Sequence, residues 1–193
     1  MAQIYNVFES CNMQSTGHGS KRIFDVVADV DIENGTFGYL NGLADGFSHI
    51  YNFAKGTKDG EVVIVADQPA WDEDECRRTN QRRDKFVIKA GTPFRARVVA
   101  INDEFATAIQ GVSVDTRSLV LDATDYVATE VYVTIDAEGK LVASNTKTDN
   151  ETFEGRVMRK RIIGGVFNTP IQNYGYSYAM YTVRVISAKG GNC

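Results

Sequence analysis

Residues 86–101 read FVIKAGTPFRARVVAI, from Phe86 to Ile101. β-Branched and aromatic residues stand on either side of Ala90-Gly91-Thr92-Pro93, a spacing that predicts a strand, a turn and a second strand. In the second half Phe94, Ala96 and Val98 alternate with Arg95 and Arg97. A strand turns successive side chains to opposite faces, so this alternation predicts one buried and one wet face.

The same grammar continues toward the C-terminus. Asn102-Asp103 reads as a turn before a short strand at 105–109, and SLVLDA at 118–123 reads as another. Residues 129–144 place Ala137-Glu138-Gly139 between two β-rich runs in the manner of a hairpin. FEGRVMRKRIIGG, 153–165, mixes Phe153, Val157 and Ile162 with Arg156, Arg159 and Arg161, which reads as a strand whose arginines face outward, and 178–187 closes the series. Short strands at intervals of about 8–12 residues with turn residues between them predict a sandwich or small barrel over 86–189.

Toward the N-terminus the pattern is less regular. EVVIVADQ, 61–68, is a continuous apolar run suited to a buried strand, and Asn34-Gly35 between apolar segments signals a turn joining two strands or extended segments. Residues 41–60 carry glycines and scattered aromatics without a period, so a loop-rich stretch is expected there. Residues 1–22 are polar and aperiodic after IYNVF, which describes either an arm that orders on a neighbouring subunit or a terminus with one anchoring strand. On the arm reading, removing 1–22 leaves the β-domain folded. The expected class is therefore mainly β: a small β-barrel or sandwich domain at 86–193, a loop-rich β segment at 23–85, and an extended N-terminal arm at 1–22.

Composition bounds the function. The chain has 193 residues, 43% hydrophobic and 24% charged, which suits an ordinary globular domain. A net charge of −4 leaves little long-range attraction for nucleic acid. No apolar run approaches the roughly 20 residues that span a bilayer, and MAQIYNVFESCN lacks the basic and apolar regions of a signal peptide. No membrane or nucleic-acid partner is expected, and a cytosolic site of synthesis is.

Candidate chemistry is sparse. Cys11, Cys76 and Cys193 are far apart and read as reduced thiols, while His18 and His49 have no metal-ligand spacing. Gly17-His18-Gly19-Ser20 lacks the strand and helix that give a phosphate loop its geometry. No catalytic set, metal site or cofactor is expected. The most unusual composition is 71–85, where Trp71 and four acids precede Arg77, Arg78, Arg82 and Arg83. A solvated helix explains the block, with acids at its N-terminal end and (i, i+4) charge pairs. A partner-facing segment explains it too, with Trp71 as anchor and the arginines paired to a neighbour's carboxylates. Tyr174 and Tyr176, in a tyrosine-bearing interval between two strands, either cap the barrel or make a contact loop.

Four phrases, GHGSKRIFDVVADVDIENGTFGYL at 17–40, Arg-Arg-Thr-Asn at 77–80, GTPFRARVV at 91–99 and YTVRVIS at 181–187, together give the chain a resemblance to small proteins encoded beside the major capsid protein of tailed phages. Those resemble head decoration, auxiliary or cement proteins. The resemblance implies a β-rich virion protein that binds the outside of the capsid lattice, favours a homotrimer, partners the major capsid protein and has no enzymatic activity. It implies host cytoplasm during assembly and the virion thereafter. Two other readings are a tail or head-tail connector component, and a ligand-binding or enzymatic β-barrel whose site would need carboxylates such as Asp103, Asp115 or Asp122.

Overall fold

The computed structural model describes residues 5–16, 23–68, 86–123, 125–126, 128–149, 152–163 and 178–189. It is mainly β, as expected, with a closed barrel of five strands and a separate sheet of six. The strands are β1 (Phe8–Asn12), β2 (Ile23–Val27), β3 (Phe37–Leu43), β4 (Ile50–Lys55), β5 (Ile64–Ala66), β6 (Phe94–Val98), β7 (Glu104–Ala108), β8 (Tyr132–Ile135), β9 (Leu141–Ser144), β10 (Phe153–Ile163) and β11 (Tyr178–Ala188), with one short helix, α1 (Arg117–Asp122). Around the barrel the order is β2-β4-β3-β5-β6, closing back on β2, and in the sheet it is β1-β7-β11-β10-β8-β9.

The second half of the opening stretch forms the strand its pattern predicts, whereas the first half makes a single bridge and no strand. Ile88 bridges to Ile32, the chain turns at Ala90-Gly91, and β6 buries Phe94, Ala96 and Val98 while Arg95 stays exposed. These apolar side chains meet Val26, Phe53, Ile64 and Ala66 inside the barrel. Closure removes the exposed strand edges that an open sheet of this size would present.

The barrel lies over 23–98 rather than over 86–189, and the region expected to be loop-rich supplies four of its five strands. The hairpin β3–β4 hides behind polar and glycine residues: only Ile50 and Phe53 of β4 are fully buried, so IYNFAK shows no period of two. The apolar run at 61–68 has a different cause. Ile64 points into the barrel, whereas Val63 and Val65 pack in the core beneath the six-stranded sheet, so β5 is covered on both faces.

That second core joins the two bodies. Phe37 of the barrel lies 5.5 Å from Phe105 and 5.3 Å from Phe153 of the sheet, centroid to centroid. The β8–β9 turn presses against the same spot, where Gly139 O accepts from Phe37 N at 2.9 Å. Gly139 has φ +74, and a Cβ there would stand 2.2 Å from Phe37 O. Only glycine satisfies both the turn and the approach. Gly35, in the turn read from Asn34-Gly35, is similarly placed at φ +80 against Asn6 and Phe8.

The described part of the N-terminal segment is not a detachable arm. β1 pairs antiparallel with β7, and Val7, Phe8, Met13 and Ser15 are buried. Asn6 ties the segment down: its N–H donates to Glu33 Oε2, its Nδ2 donates to Asn34 O, and its Oδ1 accepts from Thr107. An anchoring strand is what residues 5–16 contain. SLVLDA also differs from its strand reading, since it forms α1 with Val120 buried and Leu121 exposed. Three consecutive apolar residues, Leu119 to Leu121, fit helix or strand equally by pattern, and here the preceding 3-10 turn at Val114–Thr116 leads straight into a helix.

Candidate functional site

One face of the six-stranded sheet covers the core with Phe8, Phe105, Tyr181, Val183, Phe153, Val157 and Val133. The opposite face carries charge. Register places Asn12 against Glu104, Glu104 against Arg184, Arg184 against Arg156, Arg156 against Tyr132 and Tyr132 against Ser144. One polar row thus crosses all six strands. Arg184 and Arg156, like charges directly opposite, would repel. Each is held from its other side instead: Arg184 donates from Nε to Glu104 at 2.8 Å, and Arg156 Nη2 lies 2.9 Å from Glu130.

A second row contains Glu9, Ala106, Thr182 and Arg159, and a third contains Ala108, Met180 and Arg161. Arg161 on β10 pairs with Glu9 on β1, spanning β11 and β7. Between them lie Ala106 and Met180, both fully buried and both with Ala108 and Val7 in a small apolar cluster. The Arg161 side chain reaches across this apolar cluster to Glu9.

Arg159 reaches this face because of a β-bulge. The ladder between β10 and β11 shifts between Val157 and Arg159, so that Val157 opposes Val183 and Arg159 opposes Thr182, with Met158 extra. A bulge admits two residues opposite one and so changes which parity faces out. Without it, the core-facing Val157 would share its face with Arg159 and Arg161.

The charges are tuned by these bonds. The Arg184 hydrogen bond, followed by that from Asn12, holds the Glu104 carboxyl below its ordinary value. Tyr132 donates to Glu130, and that bond raises the phenol's pKa. The outcome is an array of guanidinium groups on one sheet face, three of them, Arg156, Arg161 and Arg184, held by carboxylates of the same chain. Such an array recognises carboxylate or other planar anions through paired N–H donors.

Trp71, Arg77, Arg78, Arg82, Arg83, Tyr174 and Tyr176 lie outside the described residues, as do Cys76, Cys193 and His18. His49 is exposed, with Ser48 Oγ 3.3 Å from its Nδ1. The three carboxylates weighed for an enzymatic barrel occupy different settings. Asp103 is fully buried in the β6–β7 turn, accepting from Gln14 N and Ala100 N, whereas Asp115 and Asp122 are exposed on the helical segment. Among the described residues no cluster of three or more His, Cys, Asp or Glu side chains could hold a metal ion. No helix there is long and apolar enough to cross a membrane.

Sequence reading placed the arginines of 156–161 on an outward strand face and stopped there. Glu9 lies 152 positions from Arg161 and Glu104 lies 80 from Arg184, so no local pattern announces either pair. Comparison of this chain with known protein families, with curated proteins and with solved structures finds no match.

Proposed function

We propose that this protein is a virion structural protein, a decoration protein that binds the outside of a tailed-phage capsid lattice as a homotrimer, contacts the major capsid protein and stabilises the shell. The observation that carries the reading is the guanidinium face of the six-stranded sheet, four arginines on two adjacent strands, three of them held by carboxylates of the same chain. Arginine is a favoured anchor at protein interfaces, and one already held by a carboxylate loses less rotamer freedom when the contact forms. Repeated copies on a lattice then add many modest contacts into firm attachment. The resemblance of the phrases at 17–40, 77–80, 91–99 and 181–187 to head auxiliary proteins points to the capsid as the lattice. The reading assigns the protein no catalysis and no cofactor.

Co-sedimentation with expanded capsid shells that lack the protein tests it, with the protein's own mass followed by light scattering. Saturation at a fixed copy number per shell, with a trimeric mass, is the expected result. Absence of binding together with a stable larger ring in solution would replace the decoration reading with a tail or connector role.

A further inference from the structure

On the outer face of the six-stranded sheet stand four guanidinium groups, of Arg156, Arg159, Arg161 and Arg184; Glu130, Glu9 and Glu104 pair with three of them, and Glu154, two residues before Arg156, accepts from Thr148. Three arginines have a carboxylate each. The fourth, Arg159, is exposed and bonds only Thr182 Oγ1, from its Nε at 3.4 Å, and no carboxylate stands within ion-pair distance of it among the described residues. Its field reaches Glu104, which Arg184 and Asn12 already occupy. The Met158 bulge turns Arg159 to this face, one row from Arg156 and Arg184. Arg159 is thus a cation without a carboxylate partner among the described residues, on a protein of net charge −4.

We infer that Arg159, flanked by Arg156 and Arg184, is the docking point for an acidic segment of the partner protein, taking an Asp or Glu carboxylate through its Nη donors. This deepens the attachment reading and rests on it for the identity of the partner. Three features favour a carboxylate-bearing segment. The guanidinium fork matches a carboxylate's two oxygens. The neighbouring guanidinium groups are already engaged by Glu104 and Glu130, so they need not be ordered when the segment binds. Like charge over the rest of the molecule repels acidic segments, so the local positive spot also sets where such a segment lands.

Arg159 is also the clean position for a test, since replacing it leaves every carboxylate of the face with its partner. The probe is a fluorescein-labelled peptide of ten glutamates, with a Gly-Ser peptide of equal length as control, followed by fluorescence anisotropy against the full chain. Arg159→Glu is compared with Arg95→Glu, which reverses an exposed arginine on the barrel. The expected result is salt-sensitive binding of the glutamate peptide to the unaltered protein, no binding of the control, at least about tenfold weakening in R159E and little change in R95E. Equal weakening by R159E and R95E, or no binding of the glutamate peptide, would overturn the inference. Shell co-sedimentation separates the two claims. Shells that bind unaltered protein and R159E equally remove the docking point and keep the attachment reading. Shells that bind neither, while the peptide still discriminates R159E, keep the docking point and remove the capsid.

Discussion

Arg184 and Arg156 stand directly opposite one another on adjacent antiparallel strands, each drawn away from the other by a carboxylate on its far side, Glu104 for Arg184 and Glu130 for Arg156. Neutralising Glu104 therefore removes an attraction and restores a repulsion together. Glu104→Gln is expected to cost about 1 kcal/mol at neutral pH, a modest figure because Arg184 is half exposed and solvent screens the pair. The sign with pH follows from the lowered pKa of Glu104. A carboxyl depressed in the folded state contributes stability that is complete above its unfolded value, near 4.5, and is lost as pH falls through the lower folded value. Urea unfolding of both proteins at a series of pH values checks this: the gap between them should shrink below about pH 4.5, and a gap independent of pH would refute the pairing.

The N-terminal strand offers a second test. Phe8 is buried against Phe105 at 5.5 Å between ring centroids, and β1 completes one edge of the sheet. Phe8→Ala is expected to destabilise the protein by about 3 kcal/mol through lost transfer energy and the cavity left behind. On the arm reading of residues 1–22 the same change would be almost silent. Denaturant midpoints at constant m-value distinguish the outcomes.

Two glycines with the same backbone angle separate strain from crowding. Gly139 and Gly91 both have φ +74, but a Cβ at Gly139 meets Phe37 O whereas one at Gly91 meets nothing within 4 Å. Gly91→Ala should cost only the left-handed penalty, about 1 kcal/mol. Gly139→Ala should cost clearly more, since either the turn or Phe37 must move, and Phe37 holds the barrel to the sheet. Equal losses would show that the turn yields freely.

Legibility in the sequence followed how each strand is covered. β6 alternates because one face meets the barrel interior and the other meets water, and β5 is uniformly apolar because both faces are covered. β4 was illegible because four of its six residues are only half-buried, which dilutes a period of two. α1 was misread because Leu119, Val120 and Leu121 in a row state burial without stating period. Of the candidate site, the arginines of β10 were legible as an outward face, whereas their carboxylate partners were not, since sheet order brings together residues far apart along the chain. The assignment of strands to barrel or sheet was likewise invisible, being a matter of which strand pairs with which.

The mixed parity of β10 did carry a message. Phe153 and Val157, which face the core, are odd-numbered, and so are Arg159 and Arg161, which face outward; no regular strand permits that, and Met158 is the residue that resolves it. Deleting Met158 should leave Val157 opposite Val183 and Arg159 opposite Thr182 without the register shift between them, so the fold and the arginine face are both expected to survive with a loss of about 1–2 kcal/mol from the missing half-buried side chain and altered twist. Deleting Val183 from the neighbouring central strand is the contrast: Arg184 and Val185 would exchange faces before the extra residue Ile186, placing Arg184 over the core. Thermal unfolding of the two deletions is the measurement. A cooperative transition for the first and none for the second is expected, and failure of the Met158 deletion to fold would show that the bulge's twist, rather than its parity, is what the sheet requires.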